Sequence, residues 1–158
     1  MKSFKNHATT TVTLSRGSET LDLSLVAPVV GWEDELERVY ARPVNYVSTV
    51  GQPAKAMAME DTAPAVLKWR GHRISLMIGK VLSEGGELEQ KYPAPMPTER
   101  REVEQLADSI RAELVAANIR EGDLMKLLKG YNTIQHGDLT VISQAQAAGN
   151  VSPQDAAT

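Results

Sequence analysis

Cysteine is missing from all 158 residues, and that absence removes disulfides, thiolate metal ligands and cysteine nucleophiles together. Aromatic residues are scarce, with one Phe, two Trp and four Tyr, so the core has to be built from Leu, Ile, Val, Met and Ala. No stretch approaches the roughly 18 consecutive apolar residues of a membrane span. The opening MKSFKNHATT lacks the apolar segment of a secretory leader, so a soluble, cytoplasmic chain with no membrane partner is expected. Neither sign of charge dominates: 17 Lys and Arg against 20 Asp and Glu leave a net charge of −3, which gives no general pull toward nucleic acid or anionic lipid.

Chemical motifs are also absent. There is no phosphate-cradling glycine loop, no serine elbow and no carboxylate pair at metal spacing. His7, His72 and His136 stand far apart in dissimilar surroundings. QHGD, with His136 and Asp138, could hold an acid and base on a loop, but a solvated turn capping the next helix is the preferred reading. No catalysis, metal or cofactor is therefore expected.

The composition, 42% apolar and 23% charged, is that of a globular protein. The expected organisation is a flexible lead over 1–9, one domain over 10–150 and a disordered tail over 151–158. The expected class is α+β, mostly α: an N-terminal β-hairpin followed by a bundle of four to five helices. In TTVTLSRGSETLDLSLVAPVV, Val12, Leu14, Leu21, Leu23 and Leu25 alternate with polar residues around Gly17, which predicts a hairpin over 10–27. GWEDELERVYARP predicts a helix over about 32–41, acidic at its start and apolar at Trp32, Leu36, Val39 and Tyr40. Residues 44–63 read as a connection with one helical turn near 54–59.

Pro64 should open a long helix over 64–84, with Asp61 or Thr62 as cap. KYPAPMPT is a proline-rich linker. A helix over about 98–120, capped by Thr98, carries Val103, Leu106, Ile110, Leu114 and Ala117 at three- and four-residue spacing. A short one over 123–129, capped by Asp123 and stopped at Gly130, carries Leu124, Leu127 and Leu128. A further helix over 139–148 competes with a strand at LTVIS.

The 64–84 helix has two apolar faces. Leu67, Gly71, Ile74, Ile78 and Val81 form the expected core stripe, with Gly71 set for close packing against the 98–120 helix. Trp69 and Leu76, seven apart and bordered by His72, Arg73 and Lys80, form a second ridge. The default reading is that the chain itself covers Trp69, with Arg and Lys stems along the ring. The functional reading is an outward ridge that binds a partner, because Trp and Arg often anchor interfaces. A nucleic-acid patch of Lys68, Arg70, His72, Arg73 and Lys80 is the alternative from another class.

A hairpin with a short polar turn (VTLSRGSETLDLSL), a small helix ending in Tyr and Pro (WEDELERVYARP) and a helix with Trp and basic residues (LKWRGHRISLMIGKVL) together resemble, in layout over 10–82, the tail assembly chaperones of long-tailed bacteriophages. The resemblance implies a non-enzymatic assembly factor of the host cytoplasm. Its partners would be tape-measure-like or tail-tube-like proteins, and it would form a homo-oligomer. It would also make Trp69, His72, Arg73, Leu76 and Lys80 contacts for a client helix.

Overall fold

The computed structural model describes residues 8–137. The expected helix over 139–148, the tail over 151–158 and most of the lead fall outside them, as do His7 and Asp138. The described chain is α+β, with two small antiparallel hairpins and four helices.

The first hairpin pairs β1 (Thr9–Arg16) with β2 (Glu19–Val26). Its register sets Val12 opposite Leu23 and Leu14 opposite Leu21, so a single face is apolar. Gly17 takes φ of 60°, a left-handed turn that glycine adopts without strain. Leu14, Leu23 and Leu25 are buried, whereas Leu21, next to the turn, stays 44% exposed.

Helix α1 (Trp32–Val39) buries Trp32, Leu36, Val39 and the following Tyr40. Helix α2 (Pro64–Glu84) has the expected span, with Pro64 in its first turn, but neither Asp61 nor Thr62 caps it. Asp61 instead accepts a 2.7 Å hydrogen bond from Arg42. Helix α3 (Arg100–Ala116) is shorter than expected at both ends, has no side-chain cap from Thr98, and leaves Ala117 exposed. Val103, Leu106, Ala107, Ile110 and Leu114 are its buried stripe.

Helix α4 (Glu121–His136) runs straight through Gly130, where a stop was expected. A Cβ on Gly130 would come within 2.7 Å of Val12 Cγ2 and 2.8 Å of Leu25 Cδ1. Glycine is there to let the helix lie on the first hairpin, and the cost of about 1 kcal/mol in helix propensity is offset by that contact. Asp123 is not the cap residue itself. It accepts from the Arg120 backbone N–H at 2.9 Å, closing the first turn, and pairs with Arg16 of β1 at 2.6 Å. Those two donors hold its carboxyl below the ordinary range.

Residues 44–63 hold no helical turn. They form a second hairpin, β3 (Val44–Val47) with β4 (Lys55–Ala58). The Ala, Lys and Met of KAMA are good helix formers, but pairing with VNYV supplies backbone partners that four isolated residues cannot supply as a helix.

Helices α2 and α3 run in the same direction. Lys68 meets Glu104 and His72 meets Asp108 near their starts, and Gly79 meets Ile110 further on. The tight helix contact is thus at Gly79, where a Cβ would lie 2.8 Å from Ile110 side-chain carbons, and not at Gly71. The return from α2 to α3 is no free spacer. Met96 is buried, Leu88 and Tyr92 pack on the core, and the Tyr92 hydroxyl donates to the Leu76 carbonyl.

Candidate functional site

Both apolar faces of α2 turn out to serve the interior. Val66, Leu76, Ile78, Val81 and Leu82 are all at or near zero exposure, while Leu67, expected in the core stripe, is 51% exposed. The outward ridge is corrected accordingly. Leu76 is sealed at zero exposure within the core cluster, and the Tyr92 hydroxyl donates to its carbonyl. Trp69 is half-buried, with its indole N–H donating to the Tyr40 carbonyl at 2.9 Å and the Arg73 and Arg42 guanidinium groups 5.6 and 6.0 Å from its ring centre. Lys80 lies 5.4 Å above the Tyr92 ring and 2.7 Å from Glu84. Arg73 pairs with Glu37.

Every member of the basic set on this helix has a carboxylate partner. Lys68 meets Glu104 at 3.1 Å, Arg70 meets Asp61 at 3.7 Å, and Arg73, Lys80 and His72 meet Glu37, Glu84 and Asp108. Phosphate contacts would have to displace these carboxylates.

His72 sits in a row that looks chemical. Its Nδ1 is 2.9 Å from the Tyr40 hydroxyl and its Nε2 is 2.9 Å from Asp108. With the ring proton on Nε2 toward Asp108, Nδ1 accepts from Tyr40. A hydroxyl–imidazole–carboxylate series is the pattern of an activated nucleophile. Here, however, Tyr40 is fully buried, and burial followed by the Glu104 charge pushes its phenol up to about 12. A hydroxyl that is sealed and harder to ionise cannot attack a substrate, so the row is a structural bond chain tying α1, α2 and α3. We expect Tyr40→Phe to cost about 1–3 kcal/mol near neutrality by stranding the buried His72 nitrogen. A raised phenol supports the fold fully below its ordinary value near 10 and loses that support as pH rises toward 12. Urea unfolding at pH 8 and pH 11 should therefore show a smaller alkaline loss for Tyr40→Phe than for the parent.

His136 closes α4 with its Nε2 3.2 Å from Glu33, which also accepts from the buried Tyr131 hydroxyl. Burial first, then Glu33, raises the Tyr131 phenol. Among the described residues no group of three or more His, Asp or Glu could hold a metal, and no helix is long and apolar enough to cross a membrane.

Sequence reasoning missed an exposed apolar feature. Every residue over 44–58 is exposed, making the β3–β4 hairpin an arm. Its register puts Val44 opposite Ala58 and Tyr46 opposite Ala56 on one face, and Asn45 opposite Met57 and Val47 opposite Lys55 on the other. The first face has no polar side chain except the phenol of Tyr46, which is 74% exposed. Met57 is 54% exposed and Val50 in the turn is fully exposed. An isolated two-stranded hairpin is marginal in water, and scattered exposed apolar residues are normal whereas a contiguous face marks a contact. The available signal was the V-N-Y-V alternation followed by Gly51 and Pro53. The base of the arm is tied down by Arg42, which donates to the Met59 carbonyl at 2.9 Å and to Asp61.

A cleft of about 350 Å³ lies at the other end of the molecule, between the β1–β2 turn and the end of α3. Leu14, Glu19, Leu21, Ala117 and Ile119 line it beside Arg16. Arg16 is committed to Asp123 and to the Asn118 carbonyl, while Glu19 has no ion-pair partner among the described residues.

The chain matches no family model, no curated protein and no solved structure.

Proposed function

We propose that this protein is a non-enzymatic assembly or structural factor of the phage-tail kind, acting by binding other tail proteins, tape-measure-like or tail-tube-like. One observation carries the reading: the β3–β4 arm presents a wholly exposed face of Val44, Tyr46, Ala56 and Ala58. That face supports protein recognition because it offers an aromatic anchor beside alanines flat enough to admit a partner's side chain. The contact moves from α2 to the arm, since Leu76 is sealed and Trp69, His72, Arg73 and Lys80 are engaged within the chain. Nucleic acid is not favoured, because the basic groups of α2 already have carboxylate partners.

Tyr46→Glu places a charge on the apolar face without touching the core. Co-expressed with the products of its neighbouring genes, the parent chain should co-purify with one of them. The variant should fold with an unchanged thermal midpoint and lose that protein by at least about tenfold, the effect of removing one aromatic anchor. Equal recovery with both chains, or recovery with neither, rejects the reading.

A further inference from the structure

We propose that the second face of the arm, Asn45, Val47, Lys55 and Met57, docks in the Glu19 cleft of a second copy of this chain. The inference rests on the reading of the arm as a binding element and adds its occupant. Three observations converge on it.

Charge is the first. Between residues 43 and 59 the arm carries a single ionisable cation or acid, Lys55, and no ion pair engages it among the described residues. The cleft has the opposite balance. Its one cation, Arg16, is neutralised by Asp123, whereas Glu19 is exposed and unpaired among the described residues.

Apolar fit is the second. Val47 and Met57 flank Lys55 on the arm, at 46% and 54% exposure. In the cleft, Leu21 at 44% exposure and half-buried Ile119 flank Glu19. Each side therefore offers one charge between apolar neighbours, and the signs are opposite.

Placement is the third. The arm springs from the end where α2 and α3 begin, since Arg42 and Arg70 hold Asp61 there and Arg100 at the start of α3 donates to the Ala41 carbonyl. The cleft lies at the end of α3, about 25 Å away for a helix of 17 residues. Within one molecule the arm is exposed and no arm residue lines the cleft, so the two meet between copies. Such a contact is head-to-tail: two copies joined end to end leave one arm and one cleft free in the pair, and association continues into a ring or a chain instead of stopping at two.

Sedimentation velocity on the full chain, from about 10 µM to about 1 mM to include weak contacts, tests this. The parent mass should rise past that of a dimer. Lys55→Glu and Glu19→Lys should each weaken association by about tenfold or more, with melting curves unchanged because both residues are exposed. Mixed in equal amounts, the two variants should regain growth, because the unaltered arm of the Glu19→Lys variant fits the unaltered cleft of the Lys55→Glu variant and the two reversed charges fit each other. The double variant, Lys55→Glu with Glu19→Lys, should recover growth. A parent that stays monomeric or halts at a dimer, single variants that associate like the parent, or a mixture that stays monomeric, each overturns the inference. Since Tyr46 is on the other face, a parent chain that self-associates but captures no neighbouring gene product would count against the proposed function alone. The reverse result would count against this inference alone.

Discussion

Leu76→Ala should lower the stability of the protein by about 3–5 kcal/mol, the range for emptying a fully enclosed leucine site. The side chain is at zero exposure near the centre of α2, and the Tyr92 hydroxyl donates to the Leu76 carbonyl. Burial also raises the Tyr92 phenol well above its ordinary value. Total stability for a domain of this size is about 5–15 kcal/mol, so the loss is a large fraction of it, and the thermal midpoint should drop by roughly 10 °C. Denaturant unfolding followed by circular dichroism measures it. A loss under about 1 kcal/mol would mean that the side chain is in water after all, and the outward-ridge reading of α2 would return.

Gly85→Ala is the second large effect. Gly85 follows the last turn of α2 with φ of −79° and ψ of −4°, angles any residue adopts, so substitution carries no backbone strain there. The obstacle is space: an added Cβ would fall on the Ser24 carbonyl oxygen and 2.9 Å from its carbon. Backbone cannot rotate aside as a side-chain tip can, so α2 and β2 must part, and overpacking of that kind costs about 1–3 kcal/mol or more. Gly122→Ala is the matched control. It lies in the first turn of α4 with nothing within 4 Å of an added Cβ, and alanine there should stabilise by up to about 1 kcal/mol. Opposite signs for the same chemical change would establish that contact, not chain entropy, decides Gly85. If Gly85→Ala is neutral, α2 does not end against β2.

The sequence was readable where a repeat and a terminator agreed. Period 2 on both sides of Gly17 located the first hairpin, and Pro64 with the Gly85–Gly86 pair bounded α2. It misled where a residue's local preference was overruled by a distant neighbour. Gly130 reads as a stop until Val12 and Leu25 are known to press on it. Tyr92 and Met96 read as linker because the surface they cover is an α2 face some fifteen residues earlier in the chain. The same ignorance of neighbours made Trp69 and Leu76 look outward: periodicity tells which residues share a side of a helix, but not how many sides are covered. The arm escaped notice because its four-residue strands are too short for alternation to stand out, and because Lys55 to Ala58 favour helix in isolation.

Two neighbouring helices that share a direction impose a length requirement on whatever joins them. Helix α2 has 21 residues, about 32 Å of axis, and the chain must travel that distance back before α3 can begin beside Lys68. Residues 85–99 have a maximum reach of about 50 Å, and part of that is used in turning at each end. The tether therefore has little slack, and shortening it by more than a few residues would pull the start of α3 away from α2. It follows that insertions and deletions will be tolerated very unequally across the loops of this molecule, freely at the tip of the exposed arm and hardly at all in the strap.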